Sequence, residues 1–202
     1  MTEIGVLFTY YKENQTVQRN YNSFKKDNPD IAVFPLCSNV PDLDDLFCWR
    51  NVDLLYYKFY RENKHKCRRW LLAEWDVFCN CNLEGFFGET WDHDFVCNQH
   101  VVFGDKWKWF EEVGRVPKKF WRNLHGICPL ACTLVSDEMM SRISSTASDL
   151  DFDLFCEFRL GILASYCGAS FTVHSSDTVA WREKLRKKFD FGFKSLWHPV
   201  KG

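Results

Sequence analysis

Two acids separated by one residue, Glu74 and Asp76, close the apolar run Trp70 to Ala73, with Trp75 between them. Carboxylates so spaced at a strand end can share a hard divalent cation, since Mg²⁺ and Mn²⁺ prefer oxygen ligands and keep positions open for substrate phosphates. A cation held there would offset the negative charge that grows on phosphate oxygens when a bond from a sugar to a diphosphate breaks. Taken alone, an acid-x-Asp pair more often belongs to a surface loop or a helix cap. Its position shifts the balance: Arg68-Arg69-Trp70-Leu71-Leu72-Ala73 would bury a strand and deliver both acids to the carboxyl edge of a sheet, where open α/β sheets bind ligands.

Other groups could serve the same chemistry. Asp92-His93-Asp94 is a second acidic cluster, able to bind metal or to form a solvated loop. Tyr10 and Tyr11 could present a ring to uracil, and Trp75 or Trp91 could stack on a sugar face, although most of the nine tryptophans must be structural. Lys64, Lys66, Arg68 and Arg69 precede the acid pair and could reach a nucleotide, or form a solvated helix end, as could Arg186, Lys187 and Lys188. Neither basic cluster is interleaved with aromatics as single-strand binding requires.

These residues need a scaffold. Ile4 to Tyr10 is a buried-strand pattern, followed by polar residues Lys12 to Gln15 and a helical segment through Lys26. After the turn signal Asp27-Asn28-Pro29-Asp30, Ile31 to Leu36 reads as a second strand, which makes a βαβ unit and an α/β class. Val52 to Asn63 has helical spacing, and Trp70 to Ala73 reads as a central strand. Phe95 to Phe103 is strand-like, Lys106 to Val113 predicts a short aromatic helix, and Pro129 to Val135 a strand leading to a helix capped by Ser136. Asp149 to Leu163 reads as an acidic loop entering a helix.

The 202 residues suit one compact domain, and a formal charge of -1 supplies no field to recruit nucleic acid or an anionic membrane. No apolar run reaches the ~18 residues of a membrane span, so no membrane insertion is expected. The start MTEIGVLFTYYKEN lacks signal-peptide features, which predicts a cytoplasmic location and free thiols for the ten cysteines. Their spacing completes no zinc cage.

An apolar strand ending in acid-x-Asp resembles the DXD element of the GT-A glycosyltransferases. Gly5 to Lys12 resembles the first strand and nucleotide-contacting loop of that fold, Gly126 to Ile143 its acceptor-side strand and serine-capped helix, and Asp153 to Leu160 its acidic helix-opening motif ending in Arg-Leu. The end, His198-Pro199-Val200-Lys201-Gly202, is similar to the histidine and lysine segment that closes the site in metal-dependent members. The whole chain also resembles the N-terminal domain of a larger viral member that decorates a capsid glycoprotein, which implies the N-terminal part of a multidomain enzyme, acting in the host cytoplasm.

The resemblance implies an α/β GT-A fold with a central, mostly parallel sheet of about six strands flanked by helices. It implies a UDP-sugar donor contacted by Thr9, Tyr10, Tyr11, Arg69, Glu74, Trp75 and Lys201, and Mn²⁺ (or Mg²⁺) held by Asp76 and His198. Glutamate stands where the family's first motif aspartate is expected, which puts Asp76 ahead of Glu74 as a ligand. Asp153 would be the base or acceptor-side acid, with Glu157 or Asp151 as substitutes, and a glycan or glycoprotein the acceptor. The histidine and lysine tail favours retention of anomeric configuration, the helix acid motif inversion.

Three readings follow. The first is a metal-dependent transferase of a hexosyl or deoxyhexosyl group. The second is a phosphoryl-transfer or nuclease domain with a two-metal site from Glu74, Asp76, Asp92 and Asp94. The third is a non-catalytic carbohydrate or protein interaction module whose acids are incidental.

Overall fold

The computed structural model describes residues 2–38, 49–128, 132–148, 153–174 and 196–198. Strand β1 (Thr2–Tyr10) leads through helix α1 (Gln15–Lys26) to β2 (Ala32–Cys37), then α2 (Val52–Glu62) and β3 (Cys67–Glu74). Asn14 caps α1, its side-chain oxygen accepting from the Val17 amide at 3.0 Å. Short strand β4 (Phe78–Cys79), helix α3 (Leu83–Phe87), β5 (Phe95–Cys97) and β6 (Gln99–Val102) follow. Two 3-10 segments, Lys108–Arg115 and Lys118–Asn123, precede β7 (His125–Cys128) and β8 (Thr133–Ser136), and then come α4 (Asp137–Ser148), α5 (Cys156–Tyr166), β9 (Phe171–Val173) and β10 (Leu196–Trp197).

The central sheet has six strands in the order β2-β1-β3-β8-β5-β9. Parallel pairing joins β1 to β2, β1 to β3 and β5 to β9, while β8 runs antiparallel between β3 and β5. Strands β1 and β3 are continuous apolar runs because the sheet is covered on both faces. Their period of two divides them cleanly. Ile4, Val6, Phe8, Leu71 and Ala73 pack with Val17 and Phe24 of α1, whereas Leu7, Trp70 and Leu72 pack with Tyr56, Tyr57 and Tyr60 of α2 and with Met139, Met140 and Ile143 of α4. Gly161 allows α5 to lie directly on β7, since a Cβ there would come within 2.4 Å of the His125 carbonyl oxygen.

The α/β class and the mostly parallel six-stranded sheet match the sequence reading, and three local expectations change. Phe95 to Phe103 is two strands, broken at Asn98. β5 joins the central sheet and β6 pairs with β7 in a separate ribbon. The aromatic helix at Lys106 to Val113 is a 3-10 segment shifted to Lys108–Arg115. Of the predicted strand Pro129 to Val135, the described residues show Thr133–Ser136, which runs antiparallel to β3. Ser136 does cap the following helix, its hydroxyl accepting from the Met139 amide at 3.2 Å. No helix among the described residues is long and apolar enough to cross a membrane.

Candidate metal and donor site

β1 and β3 run side by side, so Thr9 and Glu74 end level with one another at the carboxyl edge. A tight turn follows, closed by the Val77 amide donating to the Glu74 carbonyl at 3.0 Å, and it turns Asp76 inward to 5% exposure. β4 then pairs antiparallel with β10, Leu196 opposite Cys79 and Trp197 opposite Phe78. That pairing brings in His198 from more than a hundred residues away. His198 is buried, with Nε2 3.1 Å from Asp76 Oδ1 and 3.8 Å from Glu74 Oε2. One ligand atom from each of Glu74, Asp76 and His198 lies within 4.8 Å of the other two.

This donor set fits a divalent cation. Ligands ~2.1 Å from an octahedral ion lie ~3 Å apart when adjacent and ~4.2 Å apart when opposite, and the 3.1 and 3.8 Å separations fall in that span. Two carboxylates satisfy a hard ion, and one imidazole moves the preference from Mg²⁺ toward Mn²⁺.

Helix α1 clamps the turn through polar residues on its inner face. Asn20 donates from Nδ2 to the Trp75 carbonyl at 3.0 Å, and the Ser23 hydroxyl accepts from the Cys79 amide at 2.9 Å. Asn28, just beyond α1, donates to the Cys81 carbonyl at 2.9 Å and accepts from the Leu83 amide at 2.7 Å. All three are buried, and together they fix the backbone on both sides of Asp76. Sequence reasoning missed them. The signal was there in Val17, Asn20, Ser23 and Phe24, a helical stripe with two polar members that must find partners when buried.

Beneath the acids, the Thr9 hydroxyl lies 3.1 Å from the Tyr56 hydroxyl and donates to the Ala73 carbonyl at 3.3 Å. Burial pushes the Tyr56 phenol well above its ordinary pKa, and the negative charge of Glu74 adds to the rise, so Tyr56 stays a neutral hydrogen-bonding group at the floor of the site. Tyr10 and Tyr11 are half-buried at the end of β1; the Tyr10 carbonyl accepts from the Ser38 amide at 2.7 Å and the Tyr11 carbonyl from the Cys37 thiol at 3.6 Å. Trp75 packs partly buried against the α1-side core.

Three expected groups lie apart from this edge or ahead of their expected element. Arg69 sits five residues before Glu74 on β3, ~16 Å back along the strand, with Nη1 donating to the His93 carbonyl and its guanidinium 5.3 Å from the Trp91 ring centroid. Asp94 belongs to that same far end, because Arg69 pairs with Ser136 and the Asp94 carboxylate accepts from the Ser136 hydroxyl at 2.9 Å. The four-acid arrangement of Glu74 and Asp76 with Asp92 and Asp94 is therefore not assembled. Asp153 precedes α5 instead of lying in it, so it shares no helix face with Glu157, which is in the first turn. Its exposed carboxylate lies 3.8 Å from Arg50 Nη2 and 3.7 Å from Arg115 Nη1. Lys201, Asp151, Arg186, Lys187 and Lys188 lie outside the described residues.

The Arg-Leu end of the acidic motif has an inward role. Arg159 forks onto the Asp53 carboxylate, with Nε donating to Oδ2 at 2.8 Å and Nη2 to Oδ1, and it also donates to the Leu154 carbonyl at 3.0 Å and the Asn51 side chain at 3.1 Å. Both partners are buried. Burial opposes the guanidinium's charge, but Asp53 more than offsets this and raises its pKa.

No family model matches this sequence, and no curated protein matches it. Among solved structures it is similar to a glycosyltransferase involved in the glycosylation of the major capsid of PBCV-1, with a TM-score of 0.54 and 10% identity over 85% of this chain and 81% of that one. The fold is that of the GT-A glycosyltransferases. Fainter likenesses are to the glycosyltransferase GlyE of Streptococcus pneumoniae (TM-score 0.49, 8% identity, 100% of this chain and 55% of that one) and to mouse xyloside xylosyltransferase 1 (0.47, 10%, 98% and 97%), and no argument rests on them. In this chain the acid-x-Asp turn stands at the carboxyl edge of β3, beside the end of β1.

Proposed function

We propose that this chain is a metal-dependent glycosyltransferase that moves a hexosyl or deoxyhexosyl group from a UDP-sugar to a hydroxyl of a glycan or glycoprotein. The observation that carries this is the convergence of Glu74, Asp76 and buried His198 beside the end of β1, in a fold that glycosyltransferases share. Asp76 and His198 hold Mn²⁺ (or Mg²⁺), with Glu74 completing the set. When bound, the cation supplies positive charge to the diphosphate as the bond to the sugar breaks. Tyr10 and Tyr11 at the end of β1 meet the uridine, with their rings offering a flat face to the base.

The buried environment favours this chemistry. Asp76 and His198 are held in a water-poor place by the turn and by β10, so their charges and dipoles need no reorganisation when charge develops on the leaving group. We assign the acceptor-side role to Asp153 or Glu157, either of whose carboxylates would accept the proton of the attacking hydroxyl.

Thermal denaturation with UDP, with and without Mn²⁺, tests this. A ligand that binds only the folded chain at 100 times its Kd adds about 2.7 kcal/mol of stability. The reading requires a shift with UDP and Mn²⁺ together, much reduced in Asp76→Ala. Equal shifts in both proteins, or a shift indifferent to Mn²⁺, would remove Asp76 from the site and favour a metal-independent carbohydrate module.

A further inference from the structure

The 3-10 segment Lys118–Asn123 lies on the surface against α5. Three residues per turn divide it into rows. The inner row is Phe120 and Asn123: Phe120 is fully buried, and Asn123 Nδ2 donates to the Ser165 hydroxyl at 3.0 Å. The two outer rows are exposed, Lys118 with Trp121 and Lys119 with Arg122. Trp121 is 52% exposed, yet its one polar atom is turned inward, the indole N–H donating to the Val116 carbonyl at 2.9 Å. What this side chain shows to water is therefore hydrocarbon. Tyr166, at the end of α5, is 48% exposed and meets the Phe120 ring edge-on at 4.7 Å; the Lys119 ammonium lies 5.0 Å from the centre of that same ring.

The charge of this face is one-sided. Arg115 to Leu124 contains the cations Arg115, Lys118, Lys119 and Arg122, and no acid. Asp153 answers Arg115 at 3.7 Å. Among the described residues no ion pair reaches the other three, and the half of α5 nearest them, Gly161 to Tyr166, carries no charged side chain. Beyond Tyr166 the next charges, Arg142 and Glu138, pair with each other. The residues ahead of the segment are balanced: Lys106 and Lys108 stand against Asp105 and Glu111, and Glu112 is taken by Arg50 at 2.9 Å. A formal charge of -1 for the whole chain thus conceals a local surplus of cations around Trp121.

We propose that this face docks on a membrane surface that carries anionic lipid. Trp121 enters the headgroup boundary, where indole and phenol rings settle, with Tyr166 beside the same buried anchor, while Lys118, Lys119 and Arg122 meet the lipid phosphates and carboxylates. Single-stranded nucleic acid is the other polyanion that basic and aromatic side chains take, but it needs a groove of cations tracking the backbone past successive rings. Here the cations sit on two adjacent rows of a segment only ~12 Å long, a compact spot around a hydrocarbon tip instead of a track. The contact is peripheral, so it needs no spanning helix. It uses no donor-site residue, and it stands whether or not the transferase reading does.

Sedimentation with lipid vesicles tests it. The parent should pellet with vesicles of phosphatidylcholine and phosphatidylserine in equal parts and stay in solution with phosphatidylcholine alone, and added salt should release it. Each cation near an anionic surface strengthens partitioning about 5-fold, so Lys119→Gln with Arg122→Gln should bind about 25-fold more weakly. Trp121→Ala should bind about 5- to 10-fold more weakly. Lys25→Gln with Lys26→Gln, the same change of charge at the end of α1, should bind as the parent does, and melting temperatures report that every variant is folded. A parent that pellets with neither vesicle, or an α1 variant that loses as much as the Lys119 and Arg122 variant, would overturn the proposal. Binding of an oligothymidine that the same substitutions abolish, with no binding to vesicles, would overturn it in favour of nucleic acid.

Discussion

Strand β3 carries a cluster of two acids and a histidine at each of its ends, and they have opposite fates. At the carboxyl end, Glu74, Asp76 and His198 point ligand atoms at one another within 4.8 Å. At the other end, around Arg69, the trio Asp92-His93-Asp94 is distributed among structural tasks: the Asp94 carboxylate supports Ser136 at the start of α4, and the His93 carbonyl receives Arg69. Composition does not separate the two clusters; what does is that the first has a buried clamp from Asn20 and Ser23 and a strand partner in β10, while the second is an exposed connection. A site here is a convergence enforced from outside the motif.

If the catalytic end and the stability of the fold are separate matters, the largest loss of stability should come from neither cluster. Asp53→Ala strands the buried Arg159 guanidinium, and removing one partner of such a pair costs about 3–5 kcal/mol. Urea denaturation should show that loss, with the midpoint falling and the slope unchanged. A loss under about 1 kcal/mol would mean that water reaches Arg159 once Asp53 is gone.

The sharpest contrast between the two ends is functional. Asp76→Ala should lower sugar transfer on the order of 10²-fold or more, the scale of losing one preorganised electrostatic contact, while the double variant Asp92→Asn, Asp94→Asn should stay within about twofold of the parent. Transfer from a UDP-sugar, followed by UDP release, checks both. A double variant as inactive as Asp76→Ala would break the comparison and revive the two-metal arrangement.

How legible the site was follows from the same contrast. The α/β class, the central strand and the pair Glu74 and Asp76 could be read from local pattern, because β1 and β3 are apolar runs of strand length and the acids end one of them. His198 was nominated only through resemblance; its arrival depends on a two-residue pairing of β10 with β4 that no periodicity records. Arg69 looked close to the acids in sequence, but five residues of extended strand carry it to the other end of the sheet. Asp153 was read from a helix-opening motif whose three aspartates, Asp149, Asp151 and Asp153, each offer an N-cap, but the helix starts only at Cys156, with Phe155 at the cap position. The polar clamp in α1 was visible as polar residues on an apolar stripe, yet its partners, the Trp75 carbonyl and the Cys79 amide, lie more than fifty residues away.

That clamp supplies the next test. Asn20→Ala removes the side-chain bond to the Trp75 carbonyl, a net loss of about 0.5–1.5 kcal/mol. Urea denaturation should register this, and a Mn²⁺ titration read through the UDP-dependent thermal shift should move to weaker binding, since the turn bearing Asp76 is looser. Lost stability with unchanged Mn²⁺ affinity would show that β10 alone sets the geometry.

The smallest effect lies away from both clusters, at the ribbon of β6 and β7. His100 Nε2 is 3.0 Å from His125 Nδ1, with the His100 ring stacked on Phe171 at 4.1 Å. Burial lowers both imidazole pKa values, and for His100 the neighbouring His125 lowers it further. Both rings are thus harder to protonate folded than unfolded, where the ordinary value is about 6.5. The unfolded chain then binds more protons as pH falls through that value, so the stability this pair contributes is complete above it and is lost progressively below it, down to the depressed folded values. Melting temperature should fall by a few degrees between about pH 7.5 and about pH 5.5 on this account, and His100→Gln, which keeps a hydrogen-bonding group beside His125 while removing one titration and its repulsion, should shrink the fall. An undiminished fall in the variant would place the acid sensitivity elsewhere, with the carboxylates at the metal end of β3 the next groups to examine.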